Sequence, residues 1–412
     1  MNIIKNVEIT NYKGIEEMQF SCGSINIIVG PNNTGKSSIL ESIWMAVASL
    51  NNFKDTLSTH LYGIGVTENI RHLIRQGKQK STIALETFEN DRITLDLVYT
   101  EKAYPEEVAE YFANFITDAS KVGILDTRHP SLRTRSRMDI RELYSLESKL
   151  GRLSGELEST DELDKLLKRV SENLESAIEK YTNELINSEK IFLTSKLNNT
   201  LIDVHAIMGT YYREFPIFND EGSTIHRIPL IISSPHVAGV GKGISEIYNE
   251  LVNTKKLAVV LGTLKGRIPY FEDIRESDGN LRVLLENLDG PLPLSSMGDG
   301  FKALLKLSFM APLIKDGIAL FEEPEASMHP GYLDILAREI ILSSEYSQIF
   351  ISTHSLELIE YLLEKAEKSG KIESVKVLRL RRYPNGRIER EICSGKEAAE
   401  EMETIKTDLR GY

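Results

Sequence analysis

The segment GPNNTGKSS, Gly30 to Ser38, satisfies G-x-x-x-x-G-K-[ST], a spacing whose chemistry is phosphate binding. Glycines at Gly30 and Gly35 permit backbone angles closed to other residues, so the amides of Asn32, Asn33, Thr34 and Gly35 can turn inward. The amides of Lys36, Ser37 and Ser38 then begin a helix whose N-terminus attracts anions. In this arrangement Lys36 neutralises β/γ oxygens and the Ser37 hydroxyl ligates Mg²⁺. A second glycine-lysine stretch, AGVGKGIS around Lys242, lacks the first glycine at the proper distance. It also has Gly243 where the hydroxyl belongs, and reads as a loop leading into a helix.

A second chemical group is acidic. In ALFEEPEASMHP, Glu322, Glu323 and Glu325 crowd together directly after an apolar run. Crowded carboxylates repel, so a cation or a reacting water must account for them. Glu322 is placed to hold Mg²⁺ through its water shell, and Glu323 to polarise an attacking water. Glu325 is expected to shape the turn that follows. A third apolar run, SQIFISTHSLELI, ends at His354, where an imidazole can hydrogen-bond a γ-phosphate and report its loss. Finally, LPLSSMGDGFKALLKLS sets Ser295, Ser296, Gly298 and Gly300 ahead of a helix, a second helix start open to an anion.

These groups need strands and helices to hold them. NIIKNVEIT, IEEMQF and SINIIVG alternate apolar and polar positions and predict three strands, with a helix over GKSSILESIWMAVASL. STIALETF and RITLDLVYT predict a hairpin about END. The continuous apolar runs GIALFEE and SQIFIST fit strands buried on both faces of a parallel sheet. VKVLRLRRY and RIEREI about PNG predict a closing hairpin. Between these halves, Leu143, Leu146, Leu150, Leu153 and Leu157, then Leu163, Leu167, Val170, Leu174, Ala177, Tyr181 and Leu185, follow heptad spacing. Ser159 and Glu162 fit a capping box at the second arm, so a short antiparallel helical hairpin is expected. Downstream, ISEIYNELVNTKKLAVVLGTL predicts a helix, and IPYFEDI and NLRVLLENL a hairpin about RESDG.

Bulk properties set limits. The chain has 412 residues, 41% hydrophobic and 27% charged, which excludes wholesale disorder. GIALF and IPLII are too short to span a bilayer, and MNIIKNVEITNYKG shows no export signal, so a cytoplasmic protein with no membrane partner is expected. A net charge of −12 argues against a generally sticky nucleic-acid binder. Any DNA contact must use local clusters: Arg71, Arg75, Lys78 and Lys80; Arg128 to Arg141; or Arg379, Arg381, Arg382 and Arg387. Cys22 and Cys393, at opposite ends of the chain, form neither a disulfide framework nor a metal knuckle.

The order of these motifs resembles that of ABC-type ATPases: Walker A, the signature-like SSMGDG, Walker B in ALFEEPE, the SMHP loop and the STHS switch. ITNYKGI ahead of INIIVGPNNTGKSSILESI narrows the resemblance to the branch holding SMC proteins, RecF and the OLD family. The chain is most similar to stand-alone prokaryotic AAA/OLD-type ATPases that lack a TOPRIM domain. The resemblance implies an α/β fold: an ABC-type P-loop ATPase head with a short coiled-coil hairpin insertion. Residues 1–100 would form an N-terminal lobe with Walker A, 101–244 a mainly helical insertion, and 245–412 a C-terminal lobe. It also implies ATP and Mg²⁺ as ligands and a homo-oligomer, a dimer or a multiple of dimers. In such pairs Ser296 and Gly298 complete the partner's site, and Lys13 in NYKG touches nucleotide. OLD nucleases carry a glutamate and a D-x-D motif in a TOPRIM domain, whereas Asp408 is the sole aspartate after His354. The implied function is an ATPase that controls a separate effector, a TOPRIM or other nuclease in anti-phage defence. The alternative is a RecF-like clamp on DNA.

Overall fold

The computed structural model describes residues 3–50, 70–100, 190–208, 213–219, 228–233, 243–326, 328–384 and 386–405. The helical hairpin expected over 141–185, the Arg128 to Arg141 cluster and Lys242 lie outside them. Strands β1 (Ile4–Tyr12), β2 (Ile15–Ser21) and β3 (Ile25–Val29), then helix α1 (Lys36–Leu50), follow the expected order. Strands β4 (Lys80–Thr87) and β5 (Arg92–Thr100) come next, then β6 (Lys190–Leu197), β7 (Thr200–Met208), β8 (Arg213–Asn219) and β9 (Leu230–Ser233).

The second half holds α2 (Ile244–Asn253), α3 (Leu257–Lys265), β10 (Phe271–Ser277), β11 (Asn280–Leu285) and β12 (Leu292–Pro293). Helix α4 (Asp299–Met310), strand β13 (Gly317–Glu322), α5 (Pro330–Ser343), β14 (Ser347–Ser352) and α6 (Leu356–Lys368) follow. The described chain ends with β15 (Val375–Arg382), β16 (Ile388–Ser394) and α7 (Gly395–Ile405). The single helix expected from Ile244 divides in two because Lys255 takes a left-handed φ of 59°, and Lys256 N–H returns to Leu251 O at 2.9 Å.

Three sheets result. An antiparallel sheet runs β2-β1-β4-β5-β6-β7-β8, and a small one runs β10-β11-β12. The third runs β16-β15-β3-β14-β13-β9; within it the strands from β15 to β9 are parallel and only β16 is antiparallel. Strands β6 to β8 fall within the stretch read from sequence as mainly helical, and they extend the sheet begun by β1, β4 and β5. Strand β6 pairs with β5, β7 with β6 and β8 with β7, and that pairing satisfies their backbone groups.

Both faces of the parallel sheet are covered, which explains its unbroken apolar strands. One set of residues, Ile28, Ile318, Leu320, Phe350, Leu378 and Leu380, packs with α1 and the antiparallel sheet. The alternate set, including Ile27, Val29, Phe321, Ile349 and Ile351, packs with the helices of the second half. Helix α1 lies between the two sheets, and every residue from Ile39 to Leu50 is buried. It is therefore apolar nearly all round, with its inward serines returned to its own carbonyls, Ser42 to Ile39 and Ser49 to Ala46.

One buried amide joins the layers. Gln348, at the start of β14, accepts from Ile3 N–H at 3.2 Å and Ile4 N–H at 2.7 Å. Its NH₂ donates to Ile4 O at 2.7 Å and Gly23 O at 2.9 Å. The parallel sheet is thus tied to the first strand of the antiparallel one, where the chain crosses between them.

Candidate functional site

The phosphate loop leaves β3 at the middle of the parallel sheet. Gly30 has φ 150°, Asn33 62° and Gly35 93°. A Cβ on Gly30 would stand 2.6 Å from Leu380 O, so only glycine fits under β15 there. Thr34 is buried and its hydroxyl donates to Pro31 O at 2.8 Å. Ile39 N–H closes the first helical bond on Gly35 O at 2.9 Å, so the earlier amides of α1 have no acceptor within the helix. Asn32, Asn33 and Ser37 are exposed and Ser38 is half-buried.

Lys36 is buried, and its ammonium donates to Gly30 O at 2.8 Å and Pro31 O at 3.0 Å. Burial lowers its pKa, while the charges of Glu323, Glu322 and Glu325 oppose that shift. The acidic cluster and the loop lysine therefore share one electrostatic environment.

Strand register brings them together. In the parallel ladder Glu322 of β13 aligns with Ser352 of β14, and Ser352 with Ile28 of β3. All three strands thus end at one sheet edge, with β14 between the phosphate loop and the acidic turn. The ladder continues one step further, Glu323 N–H to Ser352 O at 2.8 Å and Thr353 N–H to Ile28 O at 3.2 Å. Glu323 then turns with φ 42°, a left-handed conformation that costs a non-glycine residue about 1–3 kcal/mol. His354 Nε2 lies 3.5 Å from Glu323 Oε1.

Glu325 takes a larger part than the turn-shaping one expected of it. Its Oε1 accepts from the Thr353 hydroxyl at 2.6 Å and from His354 N–H at 2.9 Å. Arg382 was read only as part of a basic cluster, yet its Nη1 donates to Asn33 O at 3.0 Å and braces the phosphate loop from the end of β15. The sequence shows an acid and an arginine at these places, but not which carbonyl or amide each will meet.

Lys13 stands apart from the phosphate loop's lysine. Its φ is 48°, its N–H donates to Leu73 O at 3.1 Å, and its ammonium pairs with buried Glu41. Glu41 is one helical turn beyond Ser37 on α1. Ser296 and Gly298 are exposed at the start of α4, and Gly298 is its N-cap residue with no side-chain cap. Among the described residues no hydrogen bond or ion pair joins either to the phosphate loop, so within one chain the structure does not bring them to it.

Mg²⁺ fits the donor chemistry present. Among the described residues no three His, Cys, Asp or Glu side chains form a ready cation cage. Mg²⁺ bound with a nucleotide takes few protein ligands and keeps waters and phosphate oxygens. A hydroxyl at an open helix start, Ser37, and a carboxylate at the end of β13, Glu322, are donors of the kind such a site would use. The basic clusters are in part committed elsewhere: Arg71 lies over the Tyr99 ring at 4.5 Å, and Arg75 donates to Gly14 O. Lys80 pairs with Asp96, and Arg379 with Glu391 and Glu401. No helix among the described residues is long and apolar enough to cross a membrane.

A glycine-rich phosphate loop, its lysine, and carboxylates at the end of a parallel strand one place beyond the next in the same sheet define a P-loop ATPase. The chain belongs to the AAA ATPase domain family AAA_15, which matches residues 1–359. It is 20% identical over 382 residues to the Retron Ec83 probable ATPase of Escherichia coli, covering 85% of this chain and 68% of that protein. It is 24% identical over 372 residues to Endonuclease GajA of Bacillus cereus strain VD045, covering 86% of this chain and 56% of GajA. A solved Smc head domain with an extended coiled coil, from Pyrococcus furiosus, aligns over 99% of this chain and all of that one. Its TM-score is 0.47 and its identity 13%. The family expected from the motif order is borne out.

Proposed function

We propose that the chain is an ATP-binding and ATP-hydrolysing switch whose nucleotide-dependent assembly controls a separate effector, a nuclease acting in anti-phage defence. The observation that carries the reading is the common sheet edge at which Lys36, Glu322, Glu323 and His354 converge. Kinship to a retron ATPase and to an endonuclease supports the effector part.

In this reading the amides of Asn32 to Ser38, at the loop and the start of α1, hold the phosphates. Lys36 exchanges its two carbonyl acceptors for β/γ oxygens. Ser37 and Glu322 hold Mg²⁺, which when bound offsets the charge of the phosphates. Glu323 orients and deprotonates the attacking water, and His354 hydrogen-bonds the γ-phosphate. Ser296, Gly298 and the start of α4 meet the nucleotide of a second copy, which makes ATP the bridge between heads. Lys13 contributes to the same nucleotide after release from Glu41. A ligand at about 100 times its dissociation constant adds about 2.7 kcal/mol to the state that binds it, and so biases assembly toward that state.

The test is solution mass with and without Mg–ATP for wild type, Glu323→Gln and Lys36→Ala. Glu323→Gln is expected to double its mass, or a multiple of that, with ATP; Lys36→Ala is expected not to respond. Mixing Lys36→Ala with Ser296→Arg should restore part of the turnover lost in each, since one composite site stays intact. Equal masses in all conditions, or metal-dependent DNA cleavage by the purified chain alone, would overturn the reading.

A further inference from the structure

We propose that Glu325 is a positioning residue. It anchors the backbone of the switch loop, so that nucleotide moves the His354 imidazole and leaves the loop in place. The inference rests on the ATPase reading above and goes beyond it, because it assigns a role to the third acid of the cluster.

The anchor is a chain of bonds. Glu325 Oε1 takes both the Thr353 hydroxyl, at 2.6 Å, and His354 N–H, at 2.9 Å. Thr353 is fully buried, and its hydroxyl oxygen in turn accepts from Ser355 N–H at 3.0 Å. The Ser355 hydroxyl accepts from Leu358 N–H at 3.1 Å and caps α6. One carboxylate oxygen from the acidic turn therefore fixes the loop that joins β14 to α6.

The neighbouring acid makes a different contact with the same histidine. Glu323 faces the His354 ring, whereas Glu325 holds its backbone. If the ring leaves Glu323 for a γ-phosphate, the backbone bonds need not change. The motion is then a side-chain rotation, which is fast and reversible.

A second observation indicates more than turn geometry. Glu325 Oε2 is buried, and among the described residues it has no hydrogen-bond partner. A buried carboxylate oxygen left unpaired is costly, and a residue serving only the turn could avoid that cost with a neutral side chain. The charge lies within electrostatic reach of Lys36, where, with those of Glu323 and Glu322, it opposes the lowering of that lysine's pKa by burial.

The experiment compares wild type, Glu325→Ala, Thr353→Val and Glu325→Gln by ATP turnover, ATP affinity and amide hydrogen exchange without nucleotide. Glu325→Ala is expected to lower kcat about 10- to 100-fold, the loss typical of a group displaced by about 1 Å, with KM and Kd for ATP within about threefold. Thr353→Val should move kcat the same way by less, and Glu325→Gln should recover part of it, since it keeps an acceptor oxygen for Thr353 and His354 N–H but lacks the charge. Exchange at His354 and Ser355 should speed up in Glu325→Ala while the amides of β14 stay protected. Unchanged exchange there, or a loss seen only in ATP affinity, would overturn the proposal. If wild type neither binds nor hydrolyses ATP, the reading of the site fails, and the exchange measurement alone still decides whether the anchor exists.

Discussion

His354 Nε2 stands 3.5 Å from Glu323 Oε1, so the two groups proposed to act on the γ-phosphate and on water face each other. Adjacent parallel strands produce this contact: Glu323 follows β13, His354 follows β14, and the register ends both strands together. Nε2 cannot face the acid and a phosphate at once, so in the proposed function the ring turns away from Glu323 when nucleotide engages.

Removing the carboxylate's charge tests this directly. Glu323→Gln is expected to lower kcat by about 100-fold or more, as loss of a general base does, with ATP affinity unchanged within a few-fold. His354→Ala should also lower kcat, and the double variant should fall short of the product of the two, because the residues touch. Steady-state turnover beside equilibrium nucleotide binding separates the effects. Full additivity would show that the two act independently.

The tie between the sheets gives a stability prediction. Gln348→Ala takes a partner from the amides of Ile3 and Ile4 and from the carbonyl of Ile4, while Gly23 O keeps its bond from Asn26 Nδ2 at 3.0 Å. Buried groups left unpaired cost about 1–3 kcal/mol each, so a loss of about 3 kcal/mol or more is expected. Denaturant unfolding of wild type and variant reads it from the midpoint. A change below about 0.5 kcal/mol would mean that water replaces the side chain.

Among the buried acids, Tyr12, Cys22 and Cys393 give a prediction for stability at alkaline pH. Burial raises the pKa of Tyr12, with the charge and hydrogen bond of Glu41 adding to it. Burial likewise raises Cys22 and Cys393. Each folded value lies above the unfolded one, so the stabilisation is complete below the unfolded pKa and is lost as pH rises through it. That loss begins at about pH 8.5 for the thiols and about pH 10 for the tyrosine. Lys36 is shifted downward by burial and acts oppositely, recovering stability as it loses its proton. Unfolding free energy should therefore decline above about pH 8.5, and at neutral pH both thiols should resist a thiol reagent until denaturant is added. Rapid labelling of the native chain would contradict the burial of Cys22 and Cys393.

Much of the site was legible because its parts are local. The phosphate loop lies within nine consecutive residues, and the strands ending at Glu322 and His354 announce themselves as apolar runs. What escaped depends on contacts across long separations. Gln348 reads as one polar residue at a strand start, and only the fold shows its amide reaching Ile4. Glu325 reads as a turn acid because the sequence does not show Thr353 beside it. Arg382 reads as one of several basic residues until β15 is placed next to β3. The break at Lys255 escaped for another reason: helical periodicity continues through it, and a left-handed lysine has no local signature. Strand β6 joins β5, about 90 residues earlier in the chain, and β7 and β8 add to it in turn, a long-range pairing that has no local signature.

The glycine that opens the phosphate loop gives the sharpest test of the loop's geometry. Gly30→Ala sets a methyl group 2.6 Å from Leu380 O and 3.0 Å from the Thr34 hydroxyl, on a backbone with φ 150°. Neither neighbour yields readily, since one is backbone in the centre of the sheet and the other is buried and bonded to Pro31 O. The loop must shift, and with it the two carbonyls that hold Lys36. Strain of this kind costs about 1–3 kcal/mol, so a fall in melting temperature of several degrees is expected together with an ATP affinity lower by at least about tenfold. Gly77→Ala is the matched control: it too has positive φ, 81°, but no atom within 4 Å of the added methyl group. It should lose stability by backbone strain alone and bind ATP as wild type does. Equal loss of ATP affinity in both variants would show that strain, rather than the close approach of β15, governs the site.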